Sequence, residues 1–394
     1  MALAPSMTPG TAPRVALIHD FLLDMRGAER VFLELCAMWP EADLFTTVYD
    51  EDGTEGRFAH RTVHTSFLQK LRPSARTFRA MLPLYPAAIE SFDLSAYDLV
   101  VSSSSAWAHA VLCGERSVHV SYCHNPFRYA WSDRYGTLER RRDPISRAAL
   151  SGLFSRWRQW DWIAAQRTDR YVANSQATQD RIRTYFGRES AVVYPPVAVD
   201  RFGRGPVGDH YVIVSELMPH KQIGVAIEAF NRIGRRLVVV GDGPESRRLR
   251  RAAGPMVSFT GRATDAQVQH LVSAARAMIV TSIEEFGIAA VESQAAGRPV
   301  IARRGGGALE TVIDGETGCF WSGGAPELAA AVTAFDDGAI STEACLSNAA
   351  RFGPTQFHRA LLAEVAAAQQ ARADAPLSTR RPAAPVRLVR RAGR

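Results

Sequence analysis

The sequence predicts an α/β fold built on parallel β-sheets. Short apolar runs recur along the chain, and each is followed by a turn and a segment with helical apolar spacing. Strands that alternate with helices in this way pair in parallel, because the intervening helix carries the chain back along the sheet. The 394 residues are enough for two or three domains, and the 46% of hydrophobic residues is enough to fill their cores.

Each predicted strand is a short apolar run that ends in a turn or in polar residues. In the first half these runs lie at residues 14–19, 44–48, 99–104, 118–122 and 170–174, and a helix is predicted to follow the first of them up to residue 39. In the second half they lie at residues 211–215, 237–241, 257–260, 277–281 and 300–302. That half contains no G-x-G-x-x-G and no Walker motif, which disfavours NAD-binding and ATP-binding folds.

The composition and charge restrict the class of partner that is expected. The net charge is +7, but residues 371–394 contain seven arginines against one acid and so supply +6 of it. Their Ala, Pro and Arg content predicts a disordered basic tail, while the remaining body is nearly neutral. No nucleic-acid-binding signature is present, so a nucleic-acid partner is not expected.

Cysteines and the terminus indicate a cytoplasmic protein without a metal. The five cysteines form no C-x-x-C pair, there is no 18-residue uncharged apolar run, and the N-terminus does not resemble a signal peptide. Asp50 and Asp52 formally match a D-x-D metal motif, but a three-residue match in a loop is weak, and we interpret it as a solvated loop. No metal and no cofactor are therefore predicted.

The stretch TSIEEFGIAAVESQAAG, residues 281–297, carries the strongest signal for a ligand. It follows an apolar strand, and Gly287 begins a helix whose free N–H groups and dipole favour a phosphate. Carboxylates repel phosphate but accept hydrogen bonds from a diol, and Glu292 lies about 7.5 Å along the helix from Gly287. Glu284 precedes the helix. A nucleoside diphosphate sugar has this arrangement, with two phosphates between two sets of hydroxyls. For either acid alone, an ordinary helix start explains the residue equally well.

Each of the other candidate site residues is weak evidence when it is considered alone. His124 follows a predicted strand at the edge where open α/β sheets bind ligands, but most isolated histidines are structural. Lys221 offers a point charge for a diphosphate. Arg262 follows the strand-end Gly261, where a solvated surface arginine is the simpler interpretation. Gly27 lies in the turn that leads from the first strand into a helix.

In combination, these residues resemble glycosyltransferase family 4. Glu284 and Glu292 match its E-x7-E motif, and EEFGIAAVESQAAGRPVIA is similar to the family pattern almost throughout. The turn at Gly27 resembles the family's Gly-Gly-Ala-Glu with Arg26 in place of the first glycine. The segment around His124 resembles Y-C-H-T-P-x-R-Y, with Asn in place of Thr. Lys221 matches the diphosphate-binding lysine, whereas many members have an arginine where this chain has Glu216.

The resemblance implies a fold and a reaction. The fold is GT-B, with Rossmann-like domains at about residues 1–203 and 204–352 whose parallel sheets face across a cleft, and with a helix at residues 355–370 that packs back on the first domain. The reaction is retaining, metal-independent sugar transfer, with mannose from GDP-mannose as the best match and a lipid-linked or polysaccharide acceptor, as in bacterial exopolysaccharide and lipopolysaccharide assembly. His124 and Glu284 are then catalytic, and the donor-binding residues are Gly27, Lys221, Arg262, Phe286, Gly287, Ile288 and Glu292.

Two alternative functions remain. A nucleotide-sugar epimerase of the same fold needs no acceptor. A non-catalytic scaffold derived from a transferase is consistent with Glu216, although the intact motif residues argue against such decay.

Residues 57–89 contain six Lys or Arg and no acid, with apolar residues at helical spacings around Pro73. Such a surface is typical of a protein that binds anionic lipid at the inner face of the cell membrane, but a helical hairpin packed on the core has the same pattern. Tryptophans 157, 160 and 162 lie in a second arginine-rich stretch, which we interpret as a long helix with its tryptophans in the core.

Overall fold

A computed structural model describes residues 13–74, 77–141, 143–335 and 337–375. These residues form two compact units. Unit 1 comprises the chain up to Ala173, Thr178–Ala191 and the chain from Leu361 onward, and unit 2 comprises Asn174–Ala177 and Val192–Ala360. Each unit is built on its own sheet, and the predicted α/β fold of two Rossmann-like domains with parallel sheets is confirmed.

The sheet of unit 1 has seven strands in the order β3-β2-β1-β4-β5-β6-β7, and the pairs from β3 to β6 are parallel. The strands are β1 (Val15–His19), β2 (Asp43–Thr46), β3 (Val63–Thr65), β4 (Leu99–Ser104), β5 (Val118–Cys123), β6 (Arg170–Ala173) and β7 (Ser190–Val192). The helices in this part of the chain are α1 (Gly27–Met38), α2 (Tyr85–Ile89), α3 (Arg134–Glu139), α4 (Pro144–Ala165) and α5 (Gln176–Phe186).

The sheet of unit 2 has six parallel strands in the order β10-β9-β8-β11-β12-β13. They are β8 (His210–Val214), β9 (Arg236–Val240), β10 (Val257–Gly261), β11 (Met278–Val280), β12 (Val300–Arg303) and β13 (Gly318–Trp321). The remaining helices are α6 (Ile223–Ile233), α7 (Ser246–Ala252), α8 (Asp265–Ser273), α9 (Ile288–Ala295), α10 (Ala308–Thr311), α11 (Ala325–Ala334), α12 (Thr342–Ala350) and α13 (Pro354–Asp374).

Both faces of the unit 2 sheet are covered, which explains its continuous apolar runs. Successive side chains of a strand point to opposite faces. In β8, Tyr211 and Ile213 enter a core with α6 and α11, whereas Val212 enters a second core with α9 and Phe352. The strands are therefore apolar along their length, and polar residues appear only where they end.

The chain between β3 and β4 differs from a helical hairpin. Residues Phe67–Leu71 and Phe78–Leu84 form 3₁₀ turns that lead into α2, because Pro73 and Pro83 interrupt regular helix hydrogen bonding. Pro86 lies in the first turn of α2, where a proline is tolerated. Leu68 and Phe78 are buried, as a core-packed segment requires, whereas Phe67 and Leu71 are exposed.

The tryptophan-rich stretch forms α4, the longest helix of unit 1. Trp157 is buried and Trp160 packs against the same core, but Trp162 is half exposed, so the core interpretation holds for two of the three tryptophans.

The last helix contributes to unit 1 through its C-terminal half. Glu364 of α13 accepts a hydrogen bond from Arg170, at the start of β6, with 2.6 Å between Nε and Oε2. The helix ends at Asp374 and so includes the first four residues of the tail predicted to be disordered, while residues 376–394 lie outside the described residues.

Candidate functional site

A Lys–Glu pair lies at the strand ends of unit 2. Lys221 follows β8 and Glu284 follows β11, which is the neighbour of β8 in the sheet, so the two side chains meet at the carboxyl edge. The distance from Lys221 Nζ to Glu284 Oε1 is 2.9 Å, and the side chains are 22% and 27% exposed. Both charged groups are therefore partly accessible to a ligand.

The pair keeps unused hydrogen-bonding groups. Ser282 also donates to Glu284 Oε1, at 2.9 Å. Both bonds therefore use Oε1, and Oε2 accepts no hydrogen bond within the described ranges. Lys221 Nζ has three protons and uses one on Glu284. The Thr281 hydroxyl donates to the Lys221 backbone oxygen at 2.6 Å and so ties the two turns together. Lys221 and Lys70 are the only lysines among the 47 Lys and Arg residues of the chain.

The turn before α9 has the geometry that the sequence predicts. Gly287 caps α9 with a φ of 90°, a left-handed conformation that favours glycine, and together with Glu284 and Ser282 it lines a shallow pocket. Glu292 is the fifth residue of α9 and is partly exposed. The Gly307 N–H donates to the Glu284 backbone oxygen at 2.9 Å, and a Cβ on Gly307 would overlap the Phe286 backbone, which explains the glycines after β12.

Two predicted donor contacts lie partly in the core. The Phe286 side chain is 3% exposed and packs against Tyr194 and Phe352, with ring centroids 5.6 and 5.3 Å away. Ile288 packs against the same core. The side chain of Phe286 therefore holds the turn in place, and the donor contact predicted for this residue stays a prediction.

Arg262 is exposed after β10 and belongs to a different charge cluster. It is one of two arginines near Asp242. The Ser246 hydroxyl and the Gly243 N–H, followed by Arg250 and Arg262, hold the pKa of the Asp242 carboxyl below its usual value. Glu216, at the position that departs from the family pattern, is partly exposed, and its backbone oxygen accepts the Met218 N–H at 2.9 Å.

In unit 1, His124 directly follows β5 and is 9% exposed. Its Nε2 lies 2.8 Å from Ser103 Oγ, and Ser103 Oγ lies 3.0 Å from Nδ1 of His19 at the end of β1. His19 Nε2 in turn lies 3.7 Å from Glu29 Oε1 in the first turn of α1. Gly27 begins this helix, so the structure connects the neighbourhoods of His124 and Gly27.

The sequence interpretation missed His19, Ser103 and Ser282. His19 carried the same signal as His124, a histidine at the carboxyl end of a parallel strand. Ser103 lies in a run of four serines, which in isolation does not distinguish a network residue from a turn.

Among the described residues, no group of three or more His, Cys, Asp or Glu is placed to hold a metal ion. The Asp50 carboxylate accepts the Gly53 N–H at 3.1 Å and so closes its own loop. All five cysteines are free, and burial raises the pKa of Cys36 to about 12 and that of Cys345 to about 11.

Two family models match the chain. The model described as Glycosyltransferase Family 4 matches residues 25–201, and the model described as Glycosyl transferases group 1 matches residues 208–335. Together they include every predicted site residue.

Curated relatives match more locally. The chain is 33% identical over 177 residues to the GDP-mannose-dependent alpha-(1-6)-phosphatidylinositol monomannoside mannosyltransferase of Mycolicibacterium smegmatis, which covers 36% of this chain and 46% of the relative. It is 30% identical over 226 residues to D-inositol 3-phosphate glycosyltransferase 2 of Catenulispora acidiphila, which covers 47% of this chain and 53% of the relative. The chain thus spans about half the length of the curated relatives it matches.

Solved structures resemble the whole fold. Anabaena HepE in complex with UDP aligns with a TM-score of 0.68 at 18% identity, covering 90% of this chain and all of the other. Sucrose-phosphate synthase from Thermosynechococcus elongatus aligns with a TM-score of 0.70 at 17% identity, covering 91% of this chain and all of the other.

Proposed function

Because the chain belongs to glycosyltransferase family 4, we propose that it transfers a hexosyl group from a nucleoside diphosphate sugar to a hydroxyl acceptor with retention of configuration. The observation that carries the proposal is the part-exposed Lys221–Glu284 pair at the start of α9. Lys221 offers a cation and the start of α9 offers N–H groups for two phosphates, and Glu284 offers a carboxylate for sugar hydroxyls.

Each donor-binding residue has a defined part in the proposed reaction. The Lys221 ammonium and the N–H groups at the start of α9 bind the diphosphate, with the Gly27 turn as a further contact. Glu284 accepts hydroxyl hydrogen bonds from the transferred sugar through Oε2, and Glu292 accepts those of the ribose. Phe286 and Ile288 hold the turn in place, and Arg262 supplies positive charge beside Asp242.

The chemistry consists of one substitution at the anomeric carbon. The bond from that carbon to the diphosphate oxygen breaks, and the acceptor oxygen attacks from the face that the diphosphate leaves. A phosphate oxygen takes the acceptor proton, while Lys221 and the helix start stabilise the charge that develops on the diphosphate. His124 contacts the transferred sugar, and no protein nucleophile is required.

The donor we propose is GDP-mannose. The mannosyltransferase of M. smegmatis is GDP-mannose-dependent by name, which supports this choice. The structural neighbour HepE was solved with UDP and UDP-glucose, which makes UDP the alternative to test. The proposed acceptor is a lipid-linked or polysaccharide glycan of cell-surface assembly.

A nucleotide screen followed by a transfer assay tests the proposal. We expect GDP to raise the melting temperature more than UDP, because GDP is the nucleotide of the proposed donor. A ligand at a hundred times its Kd stabilises the folded protein by about 2.7 kcal/mol. We then expect GDP-mannose to release GDP only when an acceptor glycan is added. Release of the nucleotide with free sugar and no acceptor would support the epimerase, and binding without turnover would support the scaffold.

We further propose that the protein acts at the inner face of the cell membrane through a lipid-facing surface formed by Phe67, Lys70, Leu71, Arg72 and Arg79. These side chains are exposed in unit 1. Two other bases of the stretch have structural partners: Arg61 donates to carbonyls at the end of α1, and Arg57 lies 3.8 Å from Glu55. No helix in the described ranges is long and apolar enough to cross a bilayer.

Liposome flotation tests the lipid-facing surface. Replacing Arg72, Arg76 and Arg79 by Glu is expected to abolish binding to anionic vesicles, because each base near such a membrane contributes about 1 kcal/mol. Arg76 lies outside the described residues. The experiment uses a chain that ends after Ala375, so that α13 is kept and the basic tail is removed. If this shortened chain with its arginines intact does not float with anionic vesicles, the surface is not the anchor.

A further inference from the structure

Four polar side chains of unit 1 form one buried series, which we call the His124 relay: Glu29, His19, Ser103 and His124. Their exposures are 4%, 1%, 0% and 9%. They come from the first turn of α1 and from the carboxyl ends of β1, β4 and β5, three neighbouring strands of the sheet. Because buried polar groups are costly when they lack a hydrogen-bond partner, each member constrains the next.

Ser103 couples the tautomer of His19 to the tautomer of His124. Its Oγ lies 3.0 Å from His19 Nδ1 and 2.8 Å from His124 Nε2. A serine oxygen has one proton and two lone pairs, so it can in principle accept from both rings. Ser103 is 0% exposed and its Oγ has these two partners alone among the described residues, so its proton goes to one ring nitrogen while the other ring donates to it. A protonated nitrogen on one histidine therefore requires an unprotonated nitrogen on the other.

Glu29 sets which direction is adopted. Its Oε2 accepts the Arg26 N–H at 3.2 Å, and its Oε1 faces His19 Nε2 at 3.7 Å. The 3.7 Å separation is longer than a hydrogen bond, so Glu29 acts on His19 through its negative charge. A negatively charged oxygen at this distance attracts an N–H and repels a lone pair, and it therefore favours the His19 tautomer with its proton on Nε2.

We infer that Glu29, His19 and Ser103 are positioning residues that hold His124 as the tautomer with its proton on Nε2. His19 with its proton on Nε2 has a lone pair on Nδ1, so the Ser103 hydroxyl donates there. Ser103 Oγ then accepts from His124 Nε2–H, and His124 has its lone pair on Nδ1. The ring that the proposed function places against the sugar is thus an acceptor at Nδ1, and this inference rests on that function.

One isosteric substitution reverses the relay. In Glu29→Gln, the side-chain carbonyl can still accept the Arg26 N–H, because Glu and Gln both serve at this position of a helix start. The amide then turns an N–H towards His19 Nε2, which favours a lone pair on that nitrogen. The His19 proton moves to Nδ1, the Ser103 hydroxyl turns towards His124 Nε2, and the His124 proton moves to Nδ1.

The test is to read the tautomer of His124 in the full chain by long-range ¹H–¹⁵N NMR with labelled histidine. His124→Gln identifies the signal among the ten histidines. We expect Nε2 to carry the proton in the wild type and Nδ1 to carry it in Glu29→Gln. Ser103→Ala removes the hydroxyl that links the two rings. In a Ser103→Ala background, His124 should therefore have the same tautomer whether residue 29 is Glu or Gln.

Two controls separate positioning from stability. Ser103→Thr keeps the hydroxyl and should keep the response of His124 to Glu29→Gln. His109, which is buried against Asp161 in the same unit, should keep one tautomer in every variant. A wild-type His124 with its proton on Nδ1, or the same His124 tautomer in wild type and Glu29→Gln, would overturn the inference.

Kinetics test the consequence separately. In Glu29→Gln we expect kcat to fall about ten-fold with an unchanged KM for the donor, the size of one neutral hydrogen bond lost at the sugar. An unchanged kcat together with a reversed tautomer would overturn the positioning role. The tautomer is read without any donor, so a wild type that transfers no sugar would count against the proposed function and not against the relay.

Discussion

Each of the two units has polar residues at the carboxyl edge of its sheet, but these residues differ in how far solvent reaches them. In unit 1 the His124 relay and Asp20 are buried, and each polar group contacts another part of the protein. In unit 2 Lys221 and Glu284 are about one-quarter exposed and retain unused hydrogen-bonding groups. Removing one partner of a buried network costs several kcal/mol, whereas an exposed pair contributes little.

The difference separates two tasks. The groups of unit 1 are fixed before any ligand arrives, which suits residues that must orient a sugar precisely in one geometry. In unit 2 Lys221 donates to Glu284, and Ser282 donates to the same Glu284 oxygen, so a diphosphate can take over the Lys221 contact while Glu284 keeps a partner. Substitutions in unit 1 should therefore act mainly on stability and orientation, and substitutions in unit 2 mainly on affinity.

The largest expected effect is that of Asp20→Ala. The Asp20 carboxylate accepts four backbone N–H groups, those of residues 105–108, at 2.5 to 3.0 Å, and the residue is 1% exposed. The substitution leaves these groups buried without an acceptor, so we expect a loss of about 4 kcal/mol in the free energy of unfolding. Denaturant titration followed by tryptophan fluorescence measures it, since six of the seven tryptophans lie in unit 1.

The matched control is Asp314→Ala in unit 2. Asp314 pairs with Arg304 at 2.9 Å, but both side chains are more than half exposed, so we expect a change within about 0.5 kcal/mol. If Asp20→Ala were as mild as this control, the contrast between the units would not hold.

Glu292→Gln should have an intermediate effect, and on affinity alone. A charge-assisted acceptor for the ribose diol contributes about 1.5–3 kcal/mol, so the Kd for GDP should rise about ten- to a hundred-fold. Isothermal titration measures the Kd, and a thermal melt should show an unchanged fold. Glu343→Gln, an exposed acid paired with Arg204 in the same unit, is the control and should bind GDP as the wild type does. Equal affinity in both variants would remove Glu292 from the site.

The smallest expected effect is that of metal removal. Transfer activity should be the same with and without EDTA, because in the proposed reaction Lys221 and the start of α9 stabilise the charge on the diphosphate. The rate of GDP release measures it. A complete loss that Mg²⁺ or Mn²⁺ restores would direct attention back to Asp50 and Asp52.

The sequence predicted the fold well where strands are central and apolar. The structure confirms β4 over residues 99–104 without a shift, and the other predicted strands within two residues at either end. The three strands that were missed, β3, β7 and β13, are all edge strands of three or four residues. An edge strand of this length has no continuous apolar run, since part of it faces solvent, and so it leaves little periodic signal.

For the candidate site, the sequence indicated single residues but not their contacts. The turn at Gly287 follows from local chemistry, because a left-handed helix cap requires glycine. The contact between Lys221 and Glu284 joins residues 63 positions apart, and it depends on β8 and β11 being neighbours in the sheet. The His124 relay depends in the same way on the strand order β1-β4-β5, which no local pattern encodes.

The proposed role of the unit 2 pair is tested most directly by the affinity of Lys221→Ala for GDP and for guanosine. Lys70→Ala, at the only other lysine, is the control. We expect Lys221→Ala to weaken the binding of GDP about ten- to a hundred-fold, because a charge-assisted contact to the diphosphate is lost, whereas guanosine should bind as it does to the wild type. A GDP affinity in Lys221→Ala equal to that of the wild type would contradict it.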